Sequence, residues 1–153
     1  TLILIDIDYF KSFNDRLGHQ GGDTILIEFA RKLRSCVADG DVVARLGGDE
    51  FAVLIAGTGV ERIERIVQAL MTPEDIIADI GAQPTISIGI ARLPEDDRDP
   101  AHLYKNADLA LYEAKRLGRA RIYHYAPALR LREQKRARHQ PRPVPINRSA
   151  GQH

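Results

Sequence analysis

Two pairs of acidic residues stand out in this sequence, because each pair adjoins an apolar stretch that predicts a strand. Asp6 and Asp8 end the run TLILIDID, and strand alternation places both on one face. Asp49 and Glu50 follow two glycines in RLGGDEF, at a bend that needs no charge to reverse a strand. A carboxylate at the end of a buried strand is costly unless it is paired or bound to a ligand. If the two strands are neighbours, these carboxylates converge on one sheet edge and need a cation.

An acidic, all-oxygen ligand set without His or Cys suits a hard divalent ion. Mg²⁺ is typically held by one or two carboxylates together with substrate phosphates, and two such ions can clamp a phosphoryl transfer. Gly47 and Gly48 lack a Cβ, so the backbone there can approach a phosphate or a ribose closely. Taken alone, one such Asp is better explained as a solvated strand end, and Gly-Gly as an ordinary turn. The combination favours metal-dependent phosphoryl chemistry.

Four further polar residues are candidates for nucleotide binding. Lys115 and Arg119 are four positions apart at the end of a predicted helix and could reach phosphates. Favourable placement of cations at a helix C-terminus explains them equally well. Asn14 and Asp23 carry groups that could read a guanine edge, although a loop position and a helix N-cap account for them without a ligand.

The hydrophobic pattern predicts the elements that position these residues. Strands are predicted for TLILIDID, for a hairpin of DVVARL and FAVLIAG around the GGDE bend, for PTISIGIA and for ARIYHY. Helices are predicted from Asp23 onward, from about Val60 to Met71, and over AHLYKNADLALYEAKRLG, which Gly118 ends. This βαββαβ order predicts an α+β fold with a mostly antiparallel sheet and helices packed on it.

Composition narrows the class of protein. A chain of 153 residues with 44% hydrophobic content predicts one globular domain with a sizeable core. A single cysteine and the absence of a long apolar run predict a cytoplasmic domain, although a parent protein could be membrane-anchored. Residues 130–153 hold seven Lys or Arg and one Glu, which leaves an acidic body and a basic end. The acidic body argues against nucleic acid as a partner, and the Pro-containing segment 128–153 is interpreted as a tail or linker.

Four stretches, in order along the chain, resemble the GGDEF domains of bacterial diguanylate cyclases: DIDYFKSFNDRLGHQGGD, ARLGGDEFAVLIAG, TISIGIA and NADLALYEAKRLGRARI. The resemblance runs from Leu2 to Tyr123 and implies a palm-like domain over residues 1–127, related in fold to nucleotidyl cyclases and polymerases. It implies condensation of two GTP molecules into cyclic di-GMP plus pyrophosphate, with the 3′-hydroxyl of one nucleotide attacking the α-phosphate of the other. It further implies two Mg²⁺ ions per active site, with Mn²⁺ as an alternative, and a homodimer of GGDEF domains in the active state.

The resemblance also implies roles for single residues. Asp6 and Asp49 would bind metal with the Ile7 backbone carbonyl. Glu50 would bind metal or help to deprotonate the hydroxyl, which makes Asp49 and Glu50 the candidate catalytic residues. Gly47 and Gly48 would admit the nucleotide, and Asn14 and Asp23 would read guanine. Phe10 and Lys11 would line the phosphate loop, and Lys115 and Arg119 would hold the terminal phosphates. Asp8 is interpreted as structural or supporting.

Three departures from the family pattern bear on activity. The family usually has a helix with an LTGLxNR-like stretch before the first strand, and this sequence begins after it, so we expect exposed core and weaker folding or turnover. The family's product-inhibition motif, Arg-x-x-Asp, aligns with the window from Ala38 to Asp41, which keeps the aspartate and lacks the arginine. We therefore expect weak or absent feedback binding of cyclic di-GMP. Ala120, where the family often has Asn, is expected to matter little.

Two other functions compete with an active cyclase. A GGDEF-like module could bind GTP and regulate a neighbouring domain, such as a cyclic di-GMP phosphodiesterase, and we expect sensory or phosphodiesterase domains in the parent protein. An interaction domain without nucleotide would leave the clustered carboxylates unexplained.

Overall fold

A computed structural model describes residues 1–57, 59–72 and 83–139. The strands are β1 (Leu2–Ile7), β2 (Val42–Gly47), β3 (Glu50–Leu54), β4 (Ile86–Ala91) and β5 (Ile122–His124). The helices are α1 (Phe10–Cys36), α2 (Val60–Met71), α3 (Leu103–Arg116), which follows a short 3₁₀ turn at Pro100–His102, and α4 (Pro127–His139). This mixture of elements confirms the predicted α+β class.

The five strands form one sheet in the order β2-β3-β1-β4-β5. Every pairing is antiparallel except that of β4 with β5. Strand β1 occupies the centre, and its residues Ile3, Ile5 and Ile7 have no solvent exposure, as expected for a short apolar run. The register of β1 with β3 sets Asp6 opposite Glu50, so the hairpin lies beside the first strand as its sequence suggested.

Each face of the sheet carries its own apolar core. Helices α1 and α2 cover the face that bears the isoleucines of β1, where the rings of Phe29 and Phe51 meet edge to face with centroids 5.0 Å apart. Helix α3 covers the other face over β1, β4 and β5, and three of its six buried residues are alanines. Small residues on α3 allow the helix backbone to lie close to the sheet.

The backbone of α3 lies close to the sheet at Gly89 of β4. A Cβ built on Gly89 would lie 2.2 Å from the Leu111 amide nitrogen and 2.3 Å from the Ala107 carbonyl oxygen. Ala107, Ala110 and Ala114 are fully buried along the same contact. Because backbone atoms make this contact, neither element can give way cheaply, and the position of α3 over the sheet is fixed.

The predicted start of the first helix at Asp23 was wrong. Helix α1 begins at Phe10, and only Gly18, with φ 73° and ψ 172°, departs from helical geometry inside it. Asp23 therefore lies within the helix as an exposed residue instead of capping it. The stretch before Asp23 contains three glycines, which disfavour a helix, and they outweighed the helical spacing of Phe10, Phe13 and Leu17.

The first part of the segment predicted as a tail or linker is helical, as α4 runs from Pro127 to His139. Leu129 is buried against the α3 face, and Arg130 Nη2 donates to Asp97 Oδ2 and Asn106 Oδ1, both at 2.9 Å. The helix is held by one buried leucine and by one arginine that bonds to two partners. Within a strongly basic segment, these two residues are a weak sequence signal for a packed helix. The prolines of the predicted tail, from Pro141 on, lie outside the described residues.

Within the described ranges, no helix combines the length and the apolar character needed to cross a membrane.

We expect Gly89→Ala to lower the free energy of unfolding by about 3 kcal/mol, at the upper end of the range for overpacking. The added methyl group would meet the α3 backbone, which cannot rotate away as a side chain can. Urea unfolding followed by circular dichroism measures the change. Gly40→Ala is the matched control, since a Cβ at Gly40 meets no atom within 4 Å. Equal stabilities of the two variants would contradict this account of the α3 contact.

Candidate functional site

The carboxylates singled out in the sequence meet at one edge of the sheet, where β1 ends beside the β2–β3 turn. The Ile7 amide donates to the Asp49 carbonyl oxygen at 3.2 Å, which holds the turn against the end of β1. The Asp6 side chain is buried, that of Asp49 is half-buried, and that of Glu50 is exposed. The three carboxylates at this edge therefore differ in their exposure to solvent.

Lys115 brings a positive charge from α3 to this edge. Its Nζ lies 2.6 Å from Asp6 Oδ2, and the side chains are 30% and 10% exposed, respectively. Burial raises the pKa of Asp6, the bond to Lys115 opposes that rise, and the charges of Asp49 and Glu50 add to it. The net rise means that the bond to Lys115 does not fully offset the cost of burying this carboxylate beside two others.

The fit of this edge to a divalent ion depends on the arrangement and the chemistry of its side chains. Within the described part of the chain, no three His, Cys, Asp or Glu side chains are arranged as a metal site. The donor chemistry nevertheless fits a hard cation, because Asp6, Asp49 and Glu50 offer only oxygen atoms and repel one another. The ligand set, with the Ile7 carbonyl, stays a prediction.

An arginine holds the turn that carries the second acidic pair. Arg45 Nε and Nη2 both donate to the Gly48 carbonyl oxygen, at 2.9 and 2.7 Å. The strand bulges between Arg45 and Gly47, and Gly48 has φ +49°, a conformation that glycine adopts without strain. Arg45 was not among the predicted site residues, and its signal in the sequence is only its place two positions before the glycine pair.

The Asp8 side chain is held by hydrogen bonds from other segments of the chain. It is 1% exposed, and its carboxylate accepts hydrogen bonds from Ser87 Oγ at 2.7 Å, Thr85 Oγ1 at 2.8 Å and the Ala120 amide at 3.0 Å. These bonds link the end of β1 to β4 and to the segment after α3, in keeping with a supporting role. Thr85 and Ser87 were missed, although two hydroxyl residues in an otherwise apolar strand are a usable signal.

Asn14 is packed against a glycine on α1. A Cβ on Gly22 would lie 1.7 Å from Asn14 Oδ1 and 3.3 Å from Phe10 Cζ, so only glycine leaves room for the amide. Phe10 itself is part of the core, while Lys11 and Asp23 are exposed on the helix surface. The structure thus places Asn14 in a defined position and leaves Lys11 and Asp23 open to solvent.

Arg119, the second predicted phosphate-binding cation, lies beyond the end of α3. Its guanidinium carbon is 4.8 Å from the centroid of the Tyr9 ring, directly after β1. Both predicted cations therefore lie near the end of β1, where the carboxylates are. Lys115 contacts Asp6, and Arg119 contacts Tyr9.

A family model described as "Diguanylate cyclase, GGDEF domain" matches residues 1–121. The chain belongs to the GGDEF domain family. The chain is 43% identical over 124 residues to the diguanylate cyclase TpbB of Pseudomonas aeruginosa, a match that covers 78% of this chain and 28% of that protein. The chain therefore spans less than a third of the length of this curated relative.

Solved structures confirm the palm-like fold of this GGDEF domain. A variant of TpbB (YfiN) from Pseudomonas aeruginosa comprising only the GGDEF domain superposes with a TM-score of 0.74 and 37% identity, covering 87% of this chain and 80% of that one. An EAL/GGDEF domain protein from M. capsulatus gives a TM-score of 0.68 and 38% identity, with 82% and 84% coverage. The resemblance drawn from the sequence motifs is thereby confirmed.

The raised pKa of Asp6 predicts a pH dependence of the stability of this GGDEF domain. The folded state holds the Asp6 proton more tightly than the unfolded chain, whose carboxyl titrates near its ordinary value of 3.8. The contribution of Asp6 to stability therefore falls as pH rises through the window from 3.8 to the raised folded pKa. Asp6→Asn removes this dependence, so its stability relative to the unmodified chain should increase across that window and then level off.

Urea unfolding at a series of pH values from acid to neutral measures this difference. Asp108→Asn, which neutralises an exposed carboxylate on α3, is the control and should show no such rise. A difference between Asp6→Asn and the unmodified chain that stays constant or shrinks with pH would contradict the account of Asp6.

Proposed function

We propose that this GGDEF domain is a diguanylate cyclase that condenses two GTP molecules into cyclic di-GMP and pyrophosphate. The observation that carries the proposal is the meeting of Asp6 with Asp49 and Glu50 at one sheet edge, with the lysine of α3 bonded to Asp6. Phosphoryl transfer depends mainly on positioning and on neutralising charge, and this edge offers groups for both. The diguanylate cyclase named among the relatives supports the same reaction.

The carboxylate edge would hold the metal ions and take up the proton. Asp6, Asp49 and the Ile7 carbonyl are the proposed ligands of two Mg²⁺ ions, which supply charge neutralisation and Lewis acidity when bound. Glu50 is exposed beside them, where a carboxylate oxygen can accept the proton of an attacking 3′-hydroxyl. A bond then forms between that 3′-oxygen and the α-phosphorus of the second nucleotide, and pyrophosphate leaves with the electrons of the bond that breaks. The same step in the opposite direction closes the ring and releases a second pyrophosphate.

The residues around this edge would bind and orient GTP. A Cβ on Gly47 or Gly48 would meet no protein atom within 4 Å, so the space beside the turn is open to a nucleotide. Lys115 is placed to exchange its bond with Asp6 for one with a terminal phosphate, and Arg119 lies beyond it along the chain. Phe10 and Lys11 stand at the start of α1, where free backbone amides favour an anion.

Guanine recognition is assigned to Asn14 and Asp23. The Asn14 amide sits in the space left by Gly22, which restricts its orientation, and the Asp23 carboxylate is exposed one residue further on. A fixed amide and a free carboxylate offer the acceptors and the donor that a guanine edge can use. One domain would bind one GTP, so the reaction requires a second domain facing the first.

We expect Glu50→Gln to lower the rate of cyclic di-GMP formation at least about 100-fold, the usual size of a general-base contribution. The substitution keeps the shape of the side chain and removes its capacity to take a proton. Incubation with GTP and Mg²⁺ followed by chromatography of the nucleotides measures product. The control is Glu61→Gln, which alters an exposed glutamate on α2. Comparable rates for Glu50→Gln and the unmodified chain would contradict the role of Glu50.

A regulatory GTP-binding module is the second candidate, and it is favoured by the match to a protein that is described as an EAL/GGDEF domain protein. In that case the protein binds GTP without forming product, whatever residue stands at position 50. The same chromatography, combined with a GTP-binding measurement, separates the two candidates.

Feedback binding of cyclic di-GMP is predicted to be weak because Asp41 already has partners. Asp41 is buried, its carboxylate accepts a hydrogen bond from the Ala38 amide at 2.9 Å, and Arg62 forms an ion pair with it. The exposed Ala38 stands where the inhibition motif has arginine. Calorimetric titration should detect little binding to the unmodified chain and tighter binding to Ala38→Arg.

Ala56→Arg, at another exposed alanine, controls for the added charge and should not tighten binding. Tight binding of cyclic di-GMP to the unmodified chain that Asp41→Ala abolishes would overturn this prediction.

A further inference from the structure

The contact between Tyr9 and Arg119 is not explained by the core or by any role assigned so far. Tyr9 is 61% exposed, so its ring contributes little to the hydrophobic core. The guanidinium carbon of Arg119 lies 4.8 Å from the ring centroid, within the range of a cation–π contact. The exposed ring of Tyr9 thus contacts Arg119, the cation that is proposed to bind phosphate.

The backbone on both sides of this contact adopts a conformation that residues with a Cβ rarely take. Tyr9 has φ 57°, Arg119 has φ 61° and Ala120 has φ 47°. Such left-handed residues persist only where surrounding bonds enforce them, and they concentrate at functional sites. Here they bring together a residue just after β1 and a residue just after α3.

Hydrogen bonds hold the two segments at a fixed distance. The Ala120 amide donates to Asp8 Oδ2 at 3.0 Å, which ties the residue after Arg119 to the residue before Tyr9. The Arg119 amide donates to the Ala114 carbonyl at 3.0 Å, and the Ser12 amide donates to the Tyr9 carbonyl at 2.9 Å. The backbones that carry the Tyr9 ring and the Arg119 side chain are therefore both held in place before any ligand binds.

We propose that Tyr9 is a positioning residue that orients the Arg119 guanidinium for the terminal phosphates of a bound nucleoside triphosphate. This inference rests on the proposed function, in which Arg119 holds those phosphates, and adds a residue that the family resemblance did not assign. The guanidinium carbon lies over the ring, and a guanidinium carries five N–H donors, so donors remain for a phosphate. Orienting a long, flexible side chain in advance reduces the entropy lost on binding.

The proposed role requires an aromatic ring at position 9. Only the face of the ring is used, so phenylalanine should serve as well as tyrosine, whereas leucine has no aromatic face and should not. The effect should also depend on the ligand, because Arg119 is assigned to the terminal phosphates and not to the base or the ribose. A purely structural role for Tyr9 would affect all guanine nucleotides alike.

The test is calorimetric binding of 3′-deoxy-GTP and of GMP, with Mg²⁺ present, to the full chain and its variants. The deoxy analogue keeps the triphosphate and cannot react, because it lacks the attacking hydroxyl. The variants are Tyr9→Leu and Tyr9→Phe, each also combined with Arg119→Ala. The control is Tyr104→Leu, which removes an exposed ring from α3. Thermal melting of each variant checks that it is folded.

We expect Tyr9→Leu to weaken binding of 3′-deoxy-GTP about two- to fivefold, the effect of losing one exposed cation–π contact. Tyr9→Phe and Tyr104→Leu should bind like the unmodified chain, affinity for GMP should not change, and Tyr9→Leu should have no further effect once Arg119 is alanine. Unchanged affinity of Tyr9→Leu, an equal loss for GMP, or a loss that persists without Arg119 would overturn the inference alone. If the unmodified chain does not bind 3′-deoxy-GTP, the proposed function fails and this inference fails with it.

Discussion

The contact on which the rest of the structure depends is the ion pair between Asp6 and Lys115. A carboxylate buried at the end of a central strand is stable only if a charge or hydrogen-bond donors reach it, and for Asp6 the partner is the positive charge of Lys115. That charge comes from the last turn of α3, more than one hundred positions along the chain. The fold must therefore hold α3 at one height over the sheet, or the lysine misses the carboxylate.

Several features of the sequence serve this requirement together. Gly89 lets the backbone of α3 approach β4, and the alanines of α3 keep the contact close over its whole length. Asp8 ties the segment after α3 back to β1 and β4, so the end of the helix is fixed from a second direction. Arg45 performs a similar task for the β2–β3 turn. Each of these residues places charge at one edge of the sheet.

The parts of this arrangement that follow from local pattern could be predicted from the sequence. Apolar runs gave the strands, the glycine pair gave the turn, and the acidic pairs indicated where charge gathers. The start of α1 was missed because Gly18, Gly21 and Gly22 disfavour a helix, although apolar residues recur at helical spacing in its first turns. The contacts of Arg45 with Gly48 and of Tyr9 with Arg119 depend on backbone conformations, and a residue's φ cannot be read from its type. Helix α4 depends on Arg130 reaching Asp97, a partner 33 positions away.

The site edge concentrates features that are unfavourable for folding alone. Three carboxylates lie near one another, the pKa of Asp6 remains raised despite its lysine, and non-glycine residues on both sides have positive φ. A sequence selected only for stability would replace such residues, whereas a site for a polyanionic ligand and its cations needs them. The added positive charge of metal ions would relieve the repulsion among the carboxylates, and the phosphates would satisfy the cations opposite. The instability of this edge and its proposed function thus have the same physical origin, which is charge that the protein alone leaves incompletely compensated.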